Sequence, residues 1–68
     1  MIANDQELQV TLERISRLQA QLAHLRHVES NATNYHAAAS GFIAEIDRMQ
    51  LEVRDYLNTH PAELQVTR

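Results

Sequence analysis

The chain has 68 residues, of which 44% are hydrophobic and 22% charged, and its formal net charge is -3. It contains no cysteine, which excludes disulfide scaffolds, thiolate metal sites and cysteine nucleophiles, and which agrees with a cytoplasmic protein. The longest uninterrupted apolar stretch, Ala37 to Ala39, is far shorter than the roughly 20 residues of a membrane-spanning helix. With no signal-peptide pattern at the start, we expect a soluble protein with no membrane partner.

The first predicted element is a long amphipathic helix over about residues 5–29. Glycine and proline are absent from this stretch, and its large apolar residues recur at steps of three or four, the period of a helix with one apolar face. Heptad positions a and d are apolar except for Thr11, and Leu12 widens the stripe at position e. The predicted core and interface residues of this helix are Leu8, Ile15, Leu18, Leu22 and Leu25.

Two starts are open for this helix. Asn4 followed by Glu7 has the spacing of a capping box and favours a start near Asp5. Thr11 is the alternative N-cap, with the helix starting near Leu12 and the preceding residues forming a separate arm. We prefer the longer helix.

The predicted loop follows at residues 30–34, where small polar side chains compete for backbone hydrogen bonds. A second helix is predicted over about residues 35–59, with Ser40 as an alternative start and with Pro61 enforcing its end. Its core and interface residues are Phe42, Ile46, Met49, Val53 and Tyr56, with Ala39 in the same stripe and Ile43 and Leu57 at the adjacent e position.

Two features stand apart from these helical patterns. Gly41 lies inside the second helix and costs about 1 kcal/mol relative to alanine, so it marks either a bend or a close approach of another backbone. Residues 61–68 are predicted to be a frayed tail.

The predicted architecture is all-α, with residues 1–68 forming one antiparallel two-helix hairpin. Each helix carries about three apolar residues per heptad, whereas a two-helix seam covers two, so part of every stripe stays uncovered in a lone hairpin. Two hairpins that pair about a twofold axis would cover it. We therefore expect a homodimer that forms a four-helix bundle.

Residues that could carry chemistry are few and badly placed for it. His24 and His27 share a helix but map to outward heptad positions, and no histidine follows a glutamate at the spacing of di-metal helical bundles. We expect no metal site, no cofactor and no enzymatic activity. The arginines are mixed with acidic residues and the net charge is negative, so direct nucleic-acid binding is not expected either.

The order of features resembles a group of small bacterial regulators. The resemblance is carried by the polar start, by the first helix and by the second helix. These parts contain Ile2, Asn4, Asp5, Glu7, the segment Leu8 to Thr11, Ile15, Leu18, Leu22, Leu25 and the segment Phe42 to Tyr56. Those proteins look like antitoxins or regulators encoded near toxin genes, and they carry such a hairpin ahead of a repressor-type helix-turn-helix domain. The resemblance implies an N-terminal hairpin that here lacks the DNA-binding domain.

Three functions are compatible with this sequence. The first is a non-enzymatic dimerisation or protein-interaction module. The second is an antitoxin-like or regulatory partner that binds a second protein, either a toxin or a transcription factor. The third is a metal-binding helical bundle that uses surface histidines, which are His24, His27, His36 and His60.

Overall fold

The computed structural model describes the backbone of residues 1–66 and the side chains of residues 1–63. Helix α1 spans Asp5–Val28, helix α2 spans Ala32–Leu57 and helix α3 spans Pro61–Val66. The two long helices pack against each other as an antiparallel pair. The prediction of an all-helical hairpin is confirmed.

Helix α1 begins at Asp5 because Asn4 caps it. The Asn4 Oδ1 atom accepts a hydrogen bond of 2.8 Å from the Glu7 amide, and the Glu7 carboxylate accepts one of 2.8 Å from the Ala3 amide. The first bond satisfies an amide that a helix leaves unpaired at its N-terminus, and the second ties the residue before the cap to the first turn. The alternative start at Thr11 is wrong, since the Thr11 hydroxyl donates to the Glu7 carbonyl from within the helix.

The loop between the long helices is shorter than the predicted residues 30–34. It comprises residues 29–31, because Asn31 acts as the N-cap of α2. Its Oδ1 accepts a hydrogen bond of 3.0 Å from the Asn34 amide, and its carbonyl accepts one of 2.9 Å from the Tyr35 amide. The polar residues after Asn31 therefore form the first turn of α2 instead of a loop, and the predicted start at Ser40 is also too late.

The C-terminal segment also differs from the prediction. The sequence predicts a frayed tail over residues 61–68, whereas Pro61–Val66 forms the short helix α3. Residues 67 and 68 lie outside the described residues.

Local capping explains why this short helix forms. The His60 amide donates a hydrogen bond of 2.7 Å to the Glu63 carboxylate, and the His60 Nδ1 atom accepts one of 3.0 Å from the Ala62 amide. This reciprocal pattern resembles a capping box, with histidine in the place of the usual serine or threonine and with its ring accepting from the second helical amide instead of the third. Pro61 stands at the first helical position, where the absence of its N–H costs nothing.

A small apolar cluster holds the two long helices together. Its buried members are Ile15, Ile46 and Met49, with 7%, 7% and 4% of their surface exposed. Leu18 and Val53 are partly buried and pack against this cluster. The core therefore lies along the contact between α1 and α2, on heptad positions a and d.

The hairpin is one helix thick. Its Cα atoms extend over 54 × 17 × 12 Å, and their radius of gyration is 15.9 Å. A compact domain of this length has a radius of gyration of about 11 Å. Domains are usually built from at least two packed layers around a core, so this hairpin presents one layer with two open sides.

Candidate interaction surface

The residues predicted for the core and interface lie on the contact side of the two helices. Three of them are buried, and the others are half-buried. The buried residues are Ile15, Ile46 and Met49, and the half-buried ones are Leu8, Leu18, Leu22, Leu25, Phe42, Val53 and Tyr56. Positions a and d thus supply the two apolar residues per heptad that a two-helix seam covers.

The third part of each stripe, at heptad position e, stays exposed. Leu12, Ile43 and Leu57 expose 41%, 47% and 65% of their surface. In a single hairpin, the opposite helix does not bury these three side chains. The structure thus separates the apolar stripe into a covered seam and an exposed edge.

The exposed e residues of both helices lie on the same side of the hairpin. In an antiparallel pair, e positions neighbour e positions and g positions neighbour g positions. One cleft is accordingly lined by Asp5 and Leu57, both at position e. A second cleft is lined by Glu7 and Glu52, both at position g. The side with the e positions is called the e side below, and the opposite one the g side.

The e side carries an uncharged central strip. We call this strip the apolar row. Its members are Leu12, Gln19, Ile43, Gln50 and Leu57, which occupy successive e positions of α1 and α2. Charged e residues occur only towards the ends of the helices. Burying the side chains of this strip costs less than burying charged ones, because none of its members is ionised.

The g side is charged instead. Arg48 donates hydrogen bonds to Glu45 and, at 3.0 Å, to Glu52, and both carboxylates occupy g positions. These bonds and the negative charge of Glu45 raise the pKa of the Arg48 guanidinium above its usual value. Exposed ion pairs of this type contribute little to stability and favour contact with water. The two sides of the hairpin therefore differ in character.

A hydrogen bond joins the two long helices at the end of the hairpin opposite the loop. The Tyr56 hydroxyl donates to the Asp5 carboxylate over 2.6 Å. This bond raises the pKa of Tyr56, with further contributions from burial and from the negative charges of Asp5 and Glu7. It ties the start of α1 to the last turn of α2.

Ile2 is a buried residue that the core prediction missed. Only 8% of its surface is exposed, and it lines the cleft on the g side together with Thr11 and Glu52. The only signal of this packing in the sequence is that Ile2 is a large apolar residue in the short segment ahead of the helix cap. It resembles the hydrophobic staple, in which a residue before the cap covers the first turn.

Other exposed apolar side chains are scattered. Val10, Val28 and Leu51 lie at three different heptad positions and form no row with the e residues. Isolated exposed apolar residues are common on protein surfaces and need no partner. The apolar row is therefore the surface that calls for an explanation.

The histidines do not converge. His24, His27, His36 and His60 are all exposed, and His60 serves as the cap of α3. Among the described residues, no three His, Asp or Glu side chains are grouped so that they could hold a metal ion. Within the same part of the chain, neither long helix is apolar enough over its length to span a bilayer.

Comparisons of the chain with protein-family models, with curated proteins and with solved structures found no match. The resemblance to the hairpins of repressor-type regulators stays a prediction from the sequence. The proposal for function rests on the surface described above.

Proposed function

We propose that this chain is a non-enzymatic dimerisation module, in which two hairpins stack through their e sides to form a four-helix bundle. The observation that carries the proposal is the apolar row, an uncharged strip of e positions that runs along the middle of one side of a hairpin only one layer thick. A second copy supplies the second layer that a stable helical domain needs.

The exposed area supports this proposal. The hairpin exposes 5368 Å², whereas a compact monomeric protein of 7.8 kDa exposes about 4400 Å². The excess of about 1000 Å² is comparable with the roughly 800 Å² that each partner buries in a standard specific interface. A symmetric dimer would bring the exposed surface per chain to the ordinary range.

The experiment is sedimentation equilibrium of the unmodified chain and of two variants with the same chemical change. Ile43 and Leu51 lie on the same helix and expose 47% and 49% of their surface, but only Ile43 belongs to the apolar row. We expect the unmodified chain and Leu51→Glu to be dimers at micromolar concentration. Ile43→Glu is expected to weaken the dimer by at least tenfold, because it places a charge in the interface.

The outcome that contradicts the proposal is a helical monomer at micromolar concentration for the unmodified chain. Equal weakening by Ile43→Glu and Leu51→Glu would also contradict it, because the interface would then not be restricted to the e side. Circular dichroism of each variant shows whether the hairpin is still helical.

A further inference from the structure

The hydrogen bond between Tyr56 and Asp5 shows which residues of α1 and α2 lie side by side, that is, at the same level along the hairpin. Asp5 lies beside Tyr56, and Ile15 packs with Ile46 further along the pair. Counting along the antiparallel helices from Asp5 and Tyr56 puts Leu12 level with Met49, next to Gln50. The single apolar e residue of α1 is therefore level with the glutamine of α2.

The apolar members of the row are arranged symmetrically about this level. Ile43 and Leu57 lie seven residues before and after Gln50, which is about 10.5 Å along the helix in each direction. A surface with this arrangement can match its own copy after a rotation of 180° that reverses the helix direction. An isologous twofold interface requires this kind of self-complementarity.

We propose that the dimer has its twofold axis perpendicular to the helices, at the level of Leu12 and Gln50. This inference rests on the proposed dimerisation and specifies how the two copies meet. Each long helix then crosses the same helix of the partner in the antiparallel direction. Ile43 contacts Leu57 of the partner subunit, while Leu12 and Gln50 each meet their own copies.

Polar groups are matched in this arrangement as well. The two Gln50 side chains can donate and accept hydrogen bonds between their amides. Gln19 of one chain lies level with Asp5 of the partner subunit, whose carboxylate can accept from the Gln19 amide. Apolar residues thus meet apolar residues, and polar residues meet polar ones.

A twofold axis parallel to the helices gives a poorer match. It places α1 over α2 of the partner at the same level, so that Leu12 faces Gln50 and Ile43 faces Gln19. Burying glutamine amides against leucine and isoleucine removes them from water without a hydrogen-bond partner, which costs free energy. The perpendicular axis avoids this cost.

Cross-linking through introduced cysteines tests the arrangement, and the natural chain contributes no cysteine to the background. Gln50→Cys and Gln21→Cys form a matched pair, because both replace an exposed glutamine of a long helix but Gln21 lies on the g side. After mild oxidation, most of the Gln50→Cys protein should form a covalent dimer, and the Gln21→Cys protein should stay uncross-linked.

A mixture of two other variants tests the register more sharply. Ile43→Cys and Leu57→Cys should give a mixed disulfide when combined. Either variant alone should give none, because equivalent positions are then about 21 Å apart along the helix, far beyond the reach of a disulfide. Sedimentation of each reduced variant shows whether it still dimerises.

The failures of the two proposals are distinguishable. A dimer by sedimentation in which Leu12→Cys cross-links to Gln50→Cys overturns the perpendicular arrangement and leaves dimerisation through the e sides intact. A dimer in which Gln21→Cys cross-links places the partner on the g side and overturns both proposals. A monomer by sedimentation overturns both.

Discussion

Single side chains hold the hairpin together at its open end. The phenol of Tyr56 and the carboxylate of Asp5 are 51 positions apart in the sequence, and their hydrogen bond of 2.6 Å joins α1 to α2. The bond needs the neutral phenol as donor, so it favours the protonated form of Tyr56 and raises its pKa. Its contribution to stability is therefore linked to pH.

The sign of this linkage follows from the raised pKa of Tyr56 in the folded chain. The stabilisation is fully present below the pKa of an unfolded tyrosine, about 10, and is lost as the pH rises through the higher folded value. In a Tyr35→Phe background, the phenolate absorbance reports Tyr56 alone. We expect Asp5→Asn to lower the titration midpoint of Tyr56. An unchanged midpoint would show that the bond does not form in solution.

Each long helix is capped by an asparagine at its N-terminus, and α2 also contains a glycine in its interior. Asn4 and Asn31 cap α1 and α2 with side-chain oxygens, and both caps follow the residue preferences known for such positions. Gly41 lies within α2 at a negative φ and on the surface, and an added Cβ there would meet no atom within 4 Å. No close approach within the hairpin accounts for this glycine.

Gly41→Ala is expected to stabilise the protein by about 1 kcal/mol, because alanine loses less backbone entropy in a helix and finds open space at this position. The measurement is chemical denaturation followed by circular dichroism, at one fixed protein concentration. Ala44→Gly, at an exposed site one turn further along, is the control and should destabilise by a similar amount.

Whether Gly41→Ala stabilises or destabilises the protein also tests the side of the hairpin on which the second copy binds. Gly41 lies towards the g side, together with Glu45 and away from the apolar row. Destabilisation by Gly41→Ala would indicate that another backbone approaches this position. That outcome would place the partner on the g side and would contradict the stacking proposed here.

The whole molecule has too thin a core to be stable as a typical compact domain. Among the described side chains, five hydrophobic residues are buried, and three of them form the cluster between the helices. If the second layer comes from another copy, folding and assembly are coupled. The melting temperature of the unmodified chain is then expected to rise with protein concentration.

Ile46→Asp tests this coupling between core and assembly. An aspartate at this buried position puts an unpaired charge into the central cluster and should cost about 4 kcal/mol or more, which removes both helicity and dimerisation. Ala44→Asp introduces the same side chain at an exposed position of the same helix and should leave both intact. Circular dichroism and sedimentation measure the two properties. A helical Ile46→Asp monomer would show that the cluster is not required for the hairpin.

Most of the hairpin was predictable from local patterns. The period of the apolar residues in α1 and α2 depends only on which side chains share a helix face, and the Asn4 cap depends on residues three positions apart. The seam residues could be read for the same reason, from Leu8 in α1 to Tyr56 in α2. The sequence also predicted more apolar surface than one seam covers.

Local sequence patterns did not predict the structure correctly where the same residues favour two conformations, or where a contact joins residues that are far apart in the sequence. The loop was predicted too long because the polar residues after Asn31 favour both turns and a first helical turn. The sequence does not reveal helix α3 because a histidine cap is uncommon, and it does not reveal the burial of Ile2 because the three residues ahead of the Asn4 cap are too few to show a period.

Tertiary structure alone decided which stripe positions are covered. Periodicity places Leu12, Ile43 and Leu57 beside the seam, but it does not tell whether the opposite helix covers them. The antiparallel packing, with Asp5 beside Tyr56, sets the level and the side of each residue. Because helix packing covers a and d positions and leaves e positions at the edge, these three side chains stay in contact with water in the single hairpin.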